Sequence, residues 1–144
     1  MINDNVINDK IVLDTHILLW SLLTPENLDV SVKSQINTAQ KSDNLYISAI
    51  SLWEIAMLIH KNRISVFERS SEFLNTISNI DGLSIIPINA SIAAESVMLP
   101  GGFNSDPADC LIIASTREIA GNLITRDQKI INWASQGYLK VSPG

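Results

Sequence analysis

The sequence has few of the residues that build disulfide frameworks, soft-metal sites or basic nucleic-acid surfaces. It contains one cysteine, Cys110, and two histidines. A single cysteine excludes an intrachain disulfide framework and a thiolate metal cluster, and it suits a reducing compartment. Lys and Arg number 10 against 15 Asp and Glu, which gives a net charge of −5. This charge argues against a general nucleic-acid coat protein, so any contact with nucleic acid must be local or assisted by metal ions.

Long hydrophobic runs are also missing. The longest mostly apolar stretch, residues 11–23, is interrupted by Asp14 and His16 and is too short to span a bilayer. Residues 1–10 are polar and have neither the basic start nor the apolar core of a secretory signal. We therefore expect a soluble, cytoplasmic protein that does not associate with membranes.

The residues that are present suit a well-covered core. Hydrophobic residues make up 46% of the chain and charged residues 17%, a composition opposite to that of a disordered chain. A length of 144 residues fits one domain, and no repeat, low-complexity segment or linker divides it. We expect a single domain over residues 1–144.

Short runs rich in β-branched residues alternate with segments of helical spacing. The runs predict strands at 11–13, 45–48, 83–88 and 122–125, with a fifth, edge strand at 139–141. Parallel strands need crossover connections, and the intervening helical segments supply them. The pattern predicts the α/β class, as a three-layer α/β/α sandwich with a mostly parallel sheet of four or five strands.

Several residues predict where helices begin and end. Asp106 is placed to cap a helix that starts at the following proline, with Asp109 at its third position. Gly121 is predicted to end that helix in a left-handed conformation. Ser51 and Glu54 have the spacing of a capping box, which predicts a helix opening at Ser51.

Four acids are predicted to meet at one edge of the sheet. Asp14 follows the first strand, and Glu54 lies near the start of the helix after the second. Asp109 opens the helix before the fourth strand, and Asp127 follows that strand. The carboxyl ends of parallel strands line one edge, and ligands bind in the crevice there. Asp106 is a candidate fifth acid.

Each of these acids has a structural explanation when it is taken singly, as a helix cap or as a capping-box partner. Together they would bring four negative charges within a few ångströms, which raises carboxylate pKa values and opposes folding unless a cation neutralises them. Oxygen ligands without cysteine or clustered histidine favour Mg²⁺ or Mn²⁺ over zinc. Such ions can polarise a phosphodiester and lower the pKa of an attacking water.

At these residues the sequence resembles the PIN-domain ribonucleases, and most closely the VapC-type toxins of bacterial toxin–antitoxin pairs. The matching segments follow the family's order and cover almost the whole chain: IVLDTHILLW, ISLWEIAMLIHKNRI, LPGGFNSDPADCLIIAS and LITRD. The resemblance implies Mg²⁺-dependent cleavage of RNA, with Mn²⁺ as a possible substitute. It places the catalytic acids at Asp14, Glu54, Asp109 and Asp127. Of these, Asp14, Asp109 and Asp127 are expected to hold the metal.

The resemblance also implies supporting residues and partners. Supporting positions next to the acids are expected at Thr15, Ser51, Asp106 and Thr125. The expected partners are an RNA substrate, a cognate antitoxin that covers the acidic edge, and a second copy of the chain in a homodimer. Two departures bear on substrate choice, because many such toxins have His where this chain has Asn104 and Arg where it has Cys110.

Two other functions compete with this one. Phosphatases that form a phosphoaspartate also begin with a strand ending in Asp, but they resemble DxD, and His16 stands where the second acid would be. A non-catalytic module that only binds RNA or protein would not need the intact acids. His16 and His60 lie far apart, without the spacing of metal ligands, and are predicted to have helix-surface or core roles. Trp20, Trp53 and Trp133 are predicted to pack in the core or at a subunit contact.

Overall fold

The structure, a computed structural model, describes residues 9–144. Most of the polar segment in which no secretory signal was found, residues 1–8, lies outside the described residues. The strands of the described part are Ile11–Leu13 (β1), Leu45–Ser48 (β2), Leu83–Ile86 (β3), Asn122–Thr125 (β4) and Lys140–Pro143 (β5). They form a sheet in the order β3-β2-β1-β4-β5, in which every neighbouring pair is parallel. The predicted α/β class and the edge position of the fifth strand are confirmed.

Helices connect successive strands as crossover connections. Those in residues 9–144 are Thr15–Leu23 (α1), Val30–Lys41 (α2), Ala49–His60 (α3), Ser70–Ser78 (α4), Ala90–Ser96 (α5), Pro107–Glu118 (α6) and Gln128–Trp133 (α7). The first four helices pack on one face of the sheet, and α5, α6 and α7 pack on the other. The side chains of β1 alternate between the two faces of the sheet, so that Ile11 and Leu13 belong to one core and Val12 to the other. The three layers are those that the sequence predicts.

The capping box at Ser51 is a wrong prediction. Helix α3 begins two residues earlier, at Ala49, and Ser48 is its N-cap, with Oγ accepting a hydrogen bond from the Ile50 amide at 3.3 Å. The last residue of β2 therefore caps the helix that follows it. Ser51 and Glu54 lie inside the helix, where their side chains are free to face another element.

The end of α6 also differs from its prediction. Ala120, with φ of 53°, takes the left-handed conformation, and Gly121 does not. The Gly121 amide donates to the Thr116 carbonyl at 2.9 Å. A Cβ on Gly121 would lie 3.1 Å from Val12 Cγ2, so this glycine allows the chain to pass close to β1. The start of α6 is as predicted, with Asp106 as N-cap and a proline at the first position.

Two strand boundaries move by a few residues. Strand β3 ends at Ile86, because Pro87 has no amide hydrogen with which to continue the ladder. Strand β5 covers 140–143 instead of 139–141. None of the helices within residues 9–144 is both long enough and apolar enough to cross a membrane.

Candidate active site

A cavity of about 380 Å³, here called the acid pocket, opens at the carboxyl ends of β1 and β4. Its walls are formed by Asp14, His16, Ile17, Trp20, Glu54, Asp106, Asp109, Arg126 and Asp127. All four predicted catalytic acids and the candidate fifth, Asp106, are therefore brought together. The parallel sheet explains this convergence, since Asp14 and Asp127 follow adjacent strands. Asp109 lies in the first turn of α6 and Glu54 in the second turn of α3, and both helices start at the same edge.

Asp14 is positioned by the junction of β1 and α1. Its Oδ1 accepts the Thr15 amide at 2.8 Å, which caps α1, and its Oδ2 accepts the Thr125 hydroxyl at 2.6 Å. Thr125 Oγ1 also accepts the Asp127 amide at 3.0 Å, so one buried hydroxyl connects two acids. Burial raises the pKa of Asp14 above its ordinary value and outweighs these hydrogen bonds, which lower it.

Glu54 is held by two buried hydroxyls. Thr15 donates its hydroxyl to Glu54 Oε1 at 2.5 Å, and the oxygens of Thr15 and Ser51 are 2.8 Å apart. Because Thr15 gives its proton to Glu54, Ser51 donates to Thr15. Burial raises the pKa of Glu54, and the charges of Asp14 and Asp106 raise it further. The hydroxyls at Thr15 and Ser51 thus orient a carboxyl group whose pKa is raised by its surroundings.

The pKa of Asp109 lies well above its ordinary value. Burial raises its pKa to about 6, and the charges of Asp106, Asp14 and Asp127 add to the rise. The Ser105 hydroxyl opposes the shift by donating to Asp109 Oδ2 at 2.9 Å. The Asp109 amide donates to Asp106 Oδ1 at 2.9 Å. A cation or a proton binds readily to a half-buried carboxyl group whose pKa is raised in this way and which lies beside other acids.

Two of the acids cap helices as well as lining the pocket. Asp106 caps α6, and Asp127 caps α7 by accepting the Lys129 amide at 2.9 Å. The structural explanation of these residues is therefore correct, and it does not compete with their convergence. A helix cap places a carboxylate at the mouth of the helix, and here the mouths of α6 and α7 open into one pocket.

The acids of the pocket lie in a part of the chain that matches the model of a known protein family. The family model of the PIN domain matches residues 11–135. The chain belongs to the PIN domain family. It is similar to ribonuclease VapC22 of Mycobacterium tuberculosis (strain ATCC 25618 / H37Rv), with 32% identity over 120 residues that cover 83% of this chain and 88% of that protein. The resemblance read from the sequence is confirmed.

Solved structures share the PIN fold of this chain at low sequence identity. VapBC2 from Rickettsia felis, bound to a DNA fragment from its promoter, matches with a TM-score of 0.67 and 18% identity, covering 92% of this chain and 97% of that one. DNA-bound VapBC from Salmonella typhimurium matches with a TM-score of 0.65 and 14% identity, covering 94% and 98%. At these identities the match concerns the fold alone.

Four residues that line the acid pocket of this PIN domain were not predicted as site residues from the sequence. They are His16, Ile17, Trp20 and Arg126. His16 was predicted to have a helix-surface or core role, and it is exposed, with its ring edge-on to Trp20 at a centroid distance of 6.4 Å. The available signal was proximity in sequence, because His16 lies two residues after Asp14 and Arg126 directly precedes Asp127. Ser105, the donor to Asp109, gave the same kind of signal.

The remaining tryptophans and the two family departures lie away from the pocket walls. Trp133 is buried, as predicted, and its indole donates to the Pro100 carbonyl at 2.8 Å, whereas Trp53 is 56% exposed. Cys110 is buried in the core under α6. The side chain of Asn104 is exposed, and the backbone carbonyl of Asn104 accepts a hydrogen bond from the Lys129 ammonium. Neither Asn104 nor Cys110 is among the residues that line the acid pocket.

The donor set of the acid pocket suits a hard cation. Every acid in it offers carboxylate oxygens, and its lining residues include no cysteine. Within residues 9–144, no three Asp, Glu, His or Cys side chains stand close enough together to form a ready-made metal cage. Mg²⁺ does not require such a cage, because it usually keeps several waters and binds through one or two carboxylates together with substrate phosphates. The residues therefore fit Mg²⁺ or Mn²⁺ better than an ion that needs a closed protein shell.

Proposed function

We propose that the protein is a Mg²⁺-dependent endoribonuclease that hydrolyses RNA phosphodiester bonds and acts as the VapC-type toxin of a toxin–antitoxin pair. The observation that carries the proposal is the convergence of five carboxylates in one pocket of a PIN domain. The similarity to ribonuclease VapC22 supports the same substrate class. An RNA substrate also agrees with the cytoplasmic location expected from the sequence.

In this proposal the acids divide the work. Asp14, Asp109 and Asp127 are the residues that would hold Mg²⁺, or Mn²⁺ in its place, with waters and substrate phosphate completing its coordination. The ion would supply polarisation of the phosphodiester and a lower pKa for water at the site. Glu54 is oriented by Thr15 and is the candidate to accept a proton from the attacking water, since its raised pKa makes it a better base than an ordinary glutamate.

Neighbouring side chains hold the catalytic acids in position. The hydroxyls of Thr15, Ser51 and Thr125 are buried, and each takes part in a hydrogen bond within the network that holds Glu54 or Asp14. Asp106 fixes the first turn of α6, from which Asp109 projects. Such support limits the movement of the carboxylates, which a site for phosphodiester hydrolysis needs for correct geometry.

The decisive experiment is cleavage of a fluorescently labelled single-stranded RNA by the purified protein. We expect cleavage with Mg²⁺ or Mn²⁺, near-complete loss in excess chelator, and recovery when the ion is restored. Asp109→Asn should be inactive under every condition. Asp43→Asn is the matched control, because Asp43 lies outside the pocket and asparagine tolerates its positive φ of 57°. Full activity in excess chelator would contradict the proposal.

An antitoxin is the proposed inhibitory partner, and a groove next to the acid pocket suits it. The groove runs between α1 and α3 and is lined by His16, Leu19, Trp20, Leu23, Thr24, Asn27, Leu58, Arg63 and Ile64. It shares His16 and Trp20 with the acid pocket, so a peptide packed on its leucines can extend an arginine to the carboxylates. Changing that antitoxin arginine to Ala should restore cleavage without dissociating the complex. A complex that forms and stays fully active would contradict this mode of inhibition.

A homodimer is the second proposed assembly. Trp53 projects from α3 with 56% of its surface exposed. The mostly apolar hollow beside it is lined by Ile50, Trp53, Glu54, Asp106, Pro107 and Ala108. A second copy of the chain packed on this surface would remove the indole from water. Light scattering at micromolar concentration should report a dimer for the wild type and a monomer for Trp53→Ser. A wild-type protein that is only monomeric would contradict the proposal.

A further inference from the structure

We propose that Arg126 binds an RNA phosphate next to the bond that is cleaved, with its guanidinium held in position by Trp20 and by two backbone oxygens. The inference rests on the proposed ribonuclease function and adds a residue for substrate binding to it. Arg126 lies between Thr125, whose hydroxyl donates to Asp14, and Asp127 of the acid pocket, and it forms part of the pocket wall. Its side chain is exposed, so a ligand can reach it.

The guanidinium is fixed from several directions by parts of the chain that are distant in sequence. Its carbon lies 4.6 Å from the centroid of the Trp20 ring, which is a cation–π contact. Its Nη2 donates to the Asn27 carbonyl at 2.5 Å, and its Nε donates to the Gly144 backbone oxygen. An exposed arginine ordinarily samples many rotamers, and these contacts select one of them. The side chain is therefore oriented before any ligand arrives.

In the part of the chain that the structure describes, the positive charge of Arg126 is not paired with an acidic side chain. Within residues 9–144 the ion pairs to acidic side chains are those of Arg69, Arg117 and Lys140, although Arg126 has the acid pocket beside it. Arg117 is the contrasting case, because its guanidinium donates both to Glu95 and to the Tyr138 carbonyl. Arg117 binds the protein's own groups, whereas Arg126 is anchored by backbone oxygens at the wall of a pocket that can admit a ligand.

This arrangement matches the chemistry of phosphate recognition. A guanidinium has five N–H donors in a planar fork, of which the two backbone oxygens occupy two. The Trp20 ring lies against one side of the guanidinium, and the donors that remain can bind phosphate oxygens with directional hydrogen bonds. A phosphate bound there would lie at the edge of the carboxylates instead of among them. Arg126 would thus bring a polyanion to a negatively charged pocket.

The test is steady-state cleavage of the labelled RNA at several salt concentrations by the wild type, Arg126→Ala and Arg126→Lys. For Arg126→Ala we expect KM to rise about tenfold while kcat changes about twofold or less, since the lost contact binds substrate and does not act in the chemical step. The slope of log(kcat/KM) against log(salt) should become shallower by about 0.7, the value for one phosphate contact on a single strand. Arg126→Lys should keep most of that slope but raise KM, because lysine retains the charge and loses the planar fork.

Two further variants sharpen the result. Trp20→Leu removes the stacking surface and should raise KM less than Arg126→Ala does. Arg69→Ala is the matched control, because Arg69 is an exposed arginine paired with Glu72 outside the acid pocket, and its KM and salt slope should equal those of the wild type.

The competing explanation is that Arg126 only ties the backbone near Gly144 to the turn at Asn27. In that case Arg126→Ala would melt at a lower temperature while its KM and salt slope stayed at the wild-type values, and the inference would be overturned. If Arg126→Ala does not fold, Arg126→Lys decides, since a wild-type KM in that variant contradicts phosphate binding through the fork. A wild type that cleaves no RNA with Mg²⁺ contradicts the ribonuclease itself. Arg126 is then judged by anisotropy of the same RNA, where unchanged affinity in Arg126→Ala overturns the inference.

Discussion

Two polar clefts lie at opposite edges of the sheet, and they treat charge differently. The acid pocket lies at the carboxyl edge, and a second cavity, here called the Arg117 cleft, lies at the amino edge beside Gly121 and Lys140. Their volumes are similar, about 380 and 470 Å³. In the Arg117 cleft the half-buried guanidinium of Arg117 pairs with Glu95. In the acid pocket five carboxylates share one space, and their main partners are hydroxyls and helix amides.

The difference separates a structural cleft from a functional one. A charge that meets its opposite within the protein contributes to stability and has little need of a ligand. Burial raises the pKa of a carboxyl, and neighbouring like charges raise it further, as Asp14 and Asp106 do for Glu54. A proton or an added cation relieves this repulsion. The larger cavity is thus not the better candidate site. Of the two cavities, the acid pocket is the one whose gathered carboxylates favour the binding of a cation.

The largest expected effect is on catalysis, and it compares one acid from each cleft. Asp14→Asn should lower kcat/KM for RNA by about 10³ or more, equivalent to about 4 kcal/mol in the barrier, because asparagine keeps the α1 cap but loses the charge that we propose to bind the metal. Glu95→Gln should leave kcat/KM per folded molecule within about twofold. Equal losses in both variants, measured with the same labelled RNA, would remove the distinction between the clefts.

Stability should respond in the opposite way. Glu95→Gln leaves the half-buried Arg117 without its counter-charge and should reduce the free energy of unfolding by about 1–2 kcal/mol, a value reduced from that of a fully buried pair by partial exposure. Asp14→Asn without metal should be at least as stable as the wild type, since it relieves repulsion. Urea unfolding at pH 8 with chelator measures both. If Asp14→Asn unfolds instead, Asp14 is chiefly a helix cap.

The sequence was sufficient for the strands and for the meeting of the acids, because both follow from local pattern and from one rule about parallel sheets. Three β-branched or leucine residues before Asp14 define a strand, and its direction fixes where the carboxylate lies. The capping box failed because the Ser51 and Glu54 spacing also occurs within a helix, and the true cap, Ser48, belongs to the preceding strand. A motif of four residues does not show that the last residue of the preceding strand supplies the helix cap.

The rest of the site depends on contacts between distant parts of the chain. Thr125 reaches Asp14 across 111 positions, and Arg126 reaches Asn27 across 99. Strand order β1-β4 makes these contacts, and no periodicity within either segment encodes them. Trp20 was assigned to the core or to a subunit contact for the same reason, since helical spacing gives the face of a residue and not the side chain that packs on it.

Metal binding should distinguish the clefts by thermal unfolding. Mg²⁺ at ten times its Kd should stabilise the wild type by about 1.4 kcal/mol, because a ligand that binds only the folded state shifts the equilibrium by mass action. Asp109→Asn should lose this stabilisation, and Glu95→Gln should retain it. The check is the melting temperature with and without Mg²⁺ at constant ionic strength. An equal rise in all three proteins would show that the ion acts outside the acid pocket.

The smallest expected effect is a change of stability with pH that belongs to the acid pocket alone. The pKa of Asp109 is raised from 3.8 to about 6 in the folded protein. Between these values the folded state binds more protons than the unfolded state, so the stability contributed by Asp109 falls as pH rises through this window. The penalty is complete above about pH 6. For a half-buried carboxyl, discounted for solvent screening, we expect about 1 kcal/mol.

Asp109→Asn removes that penalty, because the amide does not titrate. Without metal, the variant should therefore exceed the wild type in free energy of unfolding by about 1 kcal/mol at pH 8, and the difference should be much smaller at pH 4, where Asp109 is largely protonated in the folded state and partly protonated in the unfolded state. Urea titrations at pH 4, 6 and 8 in chelator measure the difference. If Asp109→Asn is instead less stable at pH 8, the hydrogen bond from Ser105 outweighs the repulsion, and the acids of the pocket stabilise the fold as the Arg117 pair does.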